Sequence, residues 1–438
     1  MFSDPCTSAF TEASLGPRQL HRPRGHLMRS LLPARRRTAR ALSAAAALTA
    51  LAALTLQAAP AADADASGPP ALTNGFGLTQ VDDPSLHDPG VPAGSATDFT
   101  ITVTTPDVAN DPGTVGHHIR IVLPADYYSA PTKRYPVLYL LHGSPGDPCD
   151  YFGAAGFPQF NAVKNTSDMI IVMPDGGARG WYSNWRDQGT AAGAQRWEDF
   201  EVDQVIPFVD ANLRTRADKQ DRAIAGISMG GFGALHLAQL HPDLFSQVAS
   251  LSGDDDLSGN EMVLREVVIA SLIDAQGALP VVSSGILPGS ELWSACRPVS
   301  DPYQPAVSSD ALFGSPYPFS LTPPYNDSLW NAADPAQHAS AFAGMNVSLY
   351  TGNGNGPGGD LREWWLESSS QHLASALTSA GQTPYFVDYG NGAGWGKCDG
   401  GHDVSCWDQD LADLLPRLQR SFATADGTGA GQSSEGAR

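Results

Sequence analysis

Short runs of apolar and small residues, each closing on turn residues, punctuate the chain at 137–141, 169–173, 222–227, 247–251, 347–350 and 385–387. Runs of this kind, lacking a polar face, predict strands covered on both sides. Residues 99–105 and 118–123 alternate apolar and polar positions instead, the pattern of early antiparallel strands with one wetter face. Helical patterns fall between and after these runs at 200–212, 232–240, 363–380 and 407–422. Strands alternating with helices predict an α/β fold, a mostly parallel central sheet flanked by helices. Residues 254–325, with their prolines, serines and aromatics, interrupt the alternation and are expected to form a cap-like insertion over the sheet edge.

The ends of the chain carry a different pattern. Eight arginines between Arg18 and Arg40 precede an apolar Ala/Leu-rich run at 41–59, and Ala-Pro-Ala-Ala-Asp-Ala follows at 59–64. A basic lead, an apolar core and a small-residue exit predict a secretory signal peptide over residues 1–64, and hence a secreted or cell-wall-associated protein with no stable membrane insertion after cleavage. A retained anchor is the alternative, since roughly 19 apolar residues nearly span a bilayer. Residues 65–95 read as a linker, 96–422 as the folded α/β domain and 423–438 as a Gly/Ser-rich unstructured tail. The formal net charge of −20 excludes a nucleic-acid partner, which clustered Lys and Arg would have to hold. Cleavage removes Cys6 and leaves an even number of cysteines in an oxidising compartment. Proximity then pairs Cys398 with Cys406, leaving Cys149 with Cys296.

Candidate chemistry centres on Gly226-Ile227-Ser228-Met229-Gly230. An apolar run before the serine and a Gly/Ala-rich helix start after it are the setting of a nucleophile elbow, in which flanking glycines leave room for a sharp strand-to-helix turn. A serine hydroxyl needs a base and an acid that orients the base, and in such folds they follow in the order Ser, acid, His. His402, after the last strand run and inside Cys398-Asp-Gly-Gly-His-Asp-Val-Ser-Cys406, is the candidate base. Three carboxylates compete for the acid, Asp360, Glu363 and Glu367, and closeness to the strand end favours Asp360. Oxyanion stabilisation calls for two amides, assigned to Met229 and Ser144. His117, His118, His236 and His241 read as structural. Gly354-Asn-Gly-Pro-Gly-Gly359 matches a dinucleotide-binding pattern but lies late in the chain with an interrupting proline, so no cofactor is expected. Neither zinc-ligand spacing nor a calcium loop is present, and the acidic run Asp254–Asp256 reads as a solvated loop.

Taken together, Leu140-Leu-His-Gly143, Met173-Pro-Asp-Gly-Gly177, Trp181-Tyr-Ser-Asn-Trp185, Gly226-Ile-Ser-Met-Gly-Gly231, Leu329-Trp-Asn-Ala-Ala-Asp-Pro335, Leu366-Glu367 and His402 with Trp407 resemble the esterase D and antigen 85 group of α/β-hydrolases across residues 95–420. The resemblance implies an α/β-hydrolase fold, Ser228 as nucleophile, His402 as base and the Ser144 amide in the oxyanion hole. It implies Glu367 rather than Asp360 as the acid, through the Leu-Glu pair on the helix after the Gly-Asn-Gly turn. His142, Gly143, Trp185 and Asp403 are then the candidate substrate-binding residues. Antigen 85 enzymes carry Ser-Trp after the base and an Asp-Gly-hydrophobic-Arg loop, where this chain has Asp403-Val404 and His142-Gly143-Ser144-Pro145. Mycolyl transfer to trehalose is therefore not expected. The reading is a secreted serine esterase acting on acyl esters, including lipid or sugar esters. The alternatives are an acyltransferase to a sugar or lipid alcohol and a non-catalytic wall-binding protein. Tyr303, Phe313, Tyr317, Phe319, Tyr325 and Trp330 are candidates to line an acyl pocket.

Overall fold

The computed structural model describes residues 68–425 apart from several internal stretches, the longest being 149–162, 274–304 and 315–326. The expected signal peptide, Cys149, Cys296 and the tail beyond 425 lie outside the described residues. Among the described residues nine strands form one sheet, β1 (Thr79–Val81), β2 (Asp98–Thr104), β3 (His117–Val122), β4 (Val137–Leu141), β5 (Ile170–Pro174), β6 (Arg222–Ile227), β7 (Gln247–Leu251), β8 (Asn346–Gly352) and β9 (Tyr385–Gly390), in the spatial order 1-2-3-5-4-6-7-8-9. Pairing is antiparallel from β1 through β5 and parallel from β5 through β9. Part of the stretch expected as linker thus supplies an edge strand, because Thr79–Val81 finds open backbone groups along β2.

The continuous apolar runs of β4 to β8 are buried on both faces, as their pattern predicts, whereas the run at 385–387 is only half-buried because β9 is the edge strand of the sheet. Alternation along β4 sends Val137, Tyr139 and Leu141 into one apolar layer and Leu138 and Leu140 into the other. Helix α1 (Ile206–Asn212), preceded by a π-turn at Phe200–Val205, and α2 (Met229–Leu240) cover the first layer. Helices α3 (Met262–Ile273) and α4 (Ser328–Ala333) follow β7, and α5 (Leu361–Ser379) connects β8 to β9. The last helix, α6 (Val404–Ala425), covers the second layer with Leu411, Leu414, Leu415, Leu418 and Phe422, a stripe at helical spacing. Phe313 and Trp330 pack edge to face at 5.2 Å inside the core rather than lining a pocket. The other aromatics proposed for that pocket lie outside the described residues.

Asp254–Asp256, expected to be solvated, are buried instead. Neighbouring hydroxyls and a histidine make this tolerable: Ser250 and Ser370 donate to Asp255, and Asp256 faces His372 at 3.0 Å. Burial, reinforced by the neighbouring Asp255 charge, pushes Asp254 up to about 8, and burial pushes Asp255 up to about 7 despite its two serine donors. Carboxyls raised in the fold bind protons more tightly there than in the unfolded chain, so stability falls as pH rises from about 4 through about 8. Thermal unfolding should therefore occur at a higher temperature at pH 6 than at pH 9. Asp254→Asn, an isostere of the neutral acid, should flatten that slope; an unchanged slope would show that the burial of Asp254 does not govern it.

Candidate active site

The elbow forms because glycine occupies both flanking positions that the turn compresses. A methyl group on Gly226 would collide with the Gly230 carbonyl oxygen, and one on Gly230 with the carbonyl of Leu141. Between them Ser228 adopts φ 55°, a left-handed conformation costing about 1–3 kcal/mol, held by its amide bond to Leu251 O and by the start of α2 at Met229. The serine thus stands at the C-terminal end of the central strand β6.

His402 meets it from the loop before α6. Its Nε2 lies 3.0 Å from Ser228 Oγ, and its Nδ1 lies 2.8 Å from Glu363 Oε2. The Trp407 ring stands perpendicular to the imidazole, their centroids 4.8 Å apart. The carboxylate that faces His402 therefore belongs to Glu363, not to Glu367 or Asp360. Glu363 and Glu367 are four positions apart on one helix face, so periodicity does not separate them, but a helical turn raises Glu367 by about 6 Å. Glu367 stays half-buried, pushed up by burial and then by the charges of Asp388 and Glu363.

Glu363 is fully buried and fully engaged. Its Oε1 accepts from Ser252 Oγ at 2.8 Å, Thr351 Oγ1 at 3.2 Å and the Gly352 amide at 2.7 Å. No sequence motif marks the holders Ser252, Thr351 and Gly352; their signal is position, at or just past the C-terminal ends of β7 and β8, where α/β folds assemble their sites. Asp360 has a different task. It caps α5 through the Arg362 amide and accepts the backbone N–H of His402 at 3.0 Å. Burial pushes the Asp360 carboxyl up, but hydrogen bonds from Arg362 and its charge, followed by the His402 N–H, prevail and hold it at about 2.

Gly143 packs so closely against the serine that a methyl there would lie 3.2 Å from Ser228 Cβ. Ser144 follows it, its Oγ donating to Ala178 O at 2.7 Å. Three residues expected to meet substrate are engaged elsewhere. The His142 ring is 2% exposed and bonds to Gly143 O and to the Gly176 amide. Trp185 is equally buried, its indole N–H donating to Gly180 O. The Asp403 carboxylate caps the Ser405 amide at the start of α6.

A Cys398–Cys406 disulfide brackets His402, and its half Cys406 is buried in the second apolar layer. The grouping Asp399, Asp403 and Cys406, compact enough for a metal, has its cysteine committed to this bond. A bridge closing a short loop contributes on the order of 2–3 kcal/mol. The Cys398→Ala/Cys406→Ala variant is accordingly expected to melt on the order of 5 °C lower. Its kcat should fall severalfold with KM little changed, because the loop that carries His402 loses its clamp; an unaltered kcat would mean that the loop holds His402 without it.

A family model described as "Putative esterase" matches residues 116–418. An esterase of Mycobacterium tuberculosis is 34% identical over 232 residues, 52% of this chain and 45% of that protein, so the chain spans about half the length of this curated relative. The Ag85B protein of Mycolicibacterium smegmatis, named a diacylglycerol acyltransferase/mycolyltransferase, is 25% identical over 336 residues, 72% of this chain and 90% of the relative. Among solved structures, Mycobacterium tuberculosis MPT51 matches with a TM-score of 0.53 at 18% identity, over 75% of this chain and 100% of that one. The fold is that of an α/β-hydrolase. Among the described residues no helix is long and apolar enough to cross a membrane.

Proposed function

Because this chain belongs to the "Putative esterase" family, we propose that it is an exported serine esterase in which Ser228 attacks a carboxylic acyl ester. The reading is carried by one observation, the unbroken hydrogen-bonded chain from Ser228 Oγ through His402 to Glu363. His402 Nε2 takes the serine proton as the Oγ–carbonyl bond forms, and Glu363 holds Nδ1–H so that Nε2 is free to accept it. Charge then gathers on the former carbonyl oxygen, where the amides of Met229 and Ser144 receive it. Collapse of the intermediate breaks the ester C–O bond, the alcohol leaves with the proton from His402, and an acyl-Ser228 remains. Water, deprotonated by the same imidazole, releases the acid and restores the serine. Export rests on the basic, apolar and small-residue succession of residues 1–64.

A second reading differs only in the last step. An alcohol in place of water makes the same acyl-enzyme a transferase, and the similarity to the Ag85B acyltransferase along most of that relative's length favours keeping it. The purified protein should react with a fluorophosphonate probe, and Ser228→Ala should abolish the labelling; labelling that persists in the variant would refute the assignment. Product analysis of a nitrophenyl ester with and without glycerol or a sugar then separates the readings, since only a transferase converts a large share of acyl groups to the new ester in dilute acceptor.

A further inference from the structure

We propose that His142 is a positioning residue that sets the orientation of the Ser144 amide in the oxyanion hole, which rests on the serine-esterase reading above. The Gly176 amide donates to His142 Nε2 at 2.8 Å, so Nε2 is the acceptor and the ring proton resides on Nδ1. Asp175 Oδ1 lies farther from that nitrogen, at 3.5 Å, and accepts from the Gly177 amide at 2.9 Å. Nδ1–H therefore donates to the Gly143 carbonyl, 2.9 Å away. That carbonyl belongs to the same planar unit as the Ser144 N–H, and in a trans peptide the two point in opposite directions. Fixing the oxygen toward His142 turns the N–H away from the ring.

The neighbouring peptide is tied as well, because Tyr182 Oη donates to His142 O at 3.0 Å. Both carbonyls of the turn are thus held by side chains of the buried interior, while Gly143 lies against Ser228. The support continues inward: Asp175, 0% exposed, pairs through Oδ2 with His117 Nδ1 at 3.0 Å, and His117 Nε2 faces Val108 O. His142, Asp175 and His117 stand at the ends of the adjacent strands β4, β5 and β3. The sheet itself thereby sets the angle of one catalytic peptide.

Two replacements split the two bonds of the imidazole. Asn places an N–H near the position of Nδ1 and can restore the bond to Gly143; Gln reaches toward Gly176 and restores the other. His142→Gln is expected to lower kcat about 10²-fold with KM within threefold, the loss typical of a misplaced oxyanion donor. His142→Asn should recover most of the rate. A trifluoromethyl ketone, whose adduct with Ser228 carries the oxyanion, should bind the Gln variant weaker by the same factor as kcat falls. Rescue by Gln but not Asn, or unchanged ketone affinity in the Gln variant, would overturn the proposal. Wild-type protein that neither reacts with fluorophosphonate nor binds the ketone would instead overturn the serine-esterase reading on which it rests.

Discussion

Ser228→Ala and His402→Ala are each expected to lower kcat on a nitrophenyl ester by about 10⁶-fold, and the double variant to fall no further. Each side chain is useless without the other: the hydroxyl has no acceptor for its proton once the imidazole is gone, and the imidazole has nothing to activate without the hydroxyl. In free energy this is about 8 kcal/mol removed once rather than twice. A residual rate of roughly 10³-fold over the uncatalysed reaction should survive in all three variants, supplied by binding and oxyanion donors. The measurement is a steady-state comparison of the three purified proteins. Losses that multiply in the double variant would show that Ser228 and His402 do not act as one unit, and would sink the proposed mechanism.

Glu363→Gln should reduce kcat by about 10³- to 10⁴-fold with KM almost unchanged, whereas Glu367→Gln should stay within about threefold of wild type. The reason lies in how the carboxylate is held. Three donors converge on Oε1, so a glutamine must keep its carbonyl oxygen there and present its NH₂ group toward His402. Facing a donor, Nδ1 becomes an acceptor and the ring proton moves to Nε2, the nitrogen that has to receive the serine proton. Nothing in the geometry need change for the rate to collapse. The opposite pattern, with Glu367→Gln inactive and Glu363→Gln active, would return the role to the acid implied by the family resemblance.

Much of this architecture is legible in the sequence because burial on two faces and turn sterics act locally. The runs at 137–141, 222–227 and 247–251 coincide with β4, β6 and β7, and the two glycines around Ser228 announce the turn they permit. What escapes the sequence is whatever depends on the height of a residue along a helix or on what packs over a loop. Glu363 and Glu367 share a face and differ by one turn, and only the docking of α5 against the ends of β7 and β8 distinguishes them. Asp254–Asp256 look solvated as a charge run, yet serines spaced along α5 and β7 bury them. Trp185 and the His142 ring belong to segments that carry the resemblance, but both side chains are buried and hydrogen-bonded to backbone groups of neighbouring turns.

The four bonds at Glu363 draw together the end of β7, the end of β8, the first turn of α5 and the loop of His402. Such a carboxylate works as a junction between chain segments that lie up to 150 residues apart, Ser252 and His402 being the outermost. Activity is consequently a late reporter of assembly. In a refolding experiment, ester hydrolysis would return only once the C-terminal third has docked, at the pace of its slowest contact, however early the nucleophile's own strand and helix take shape.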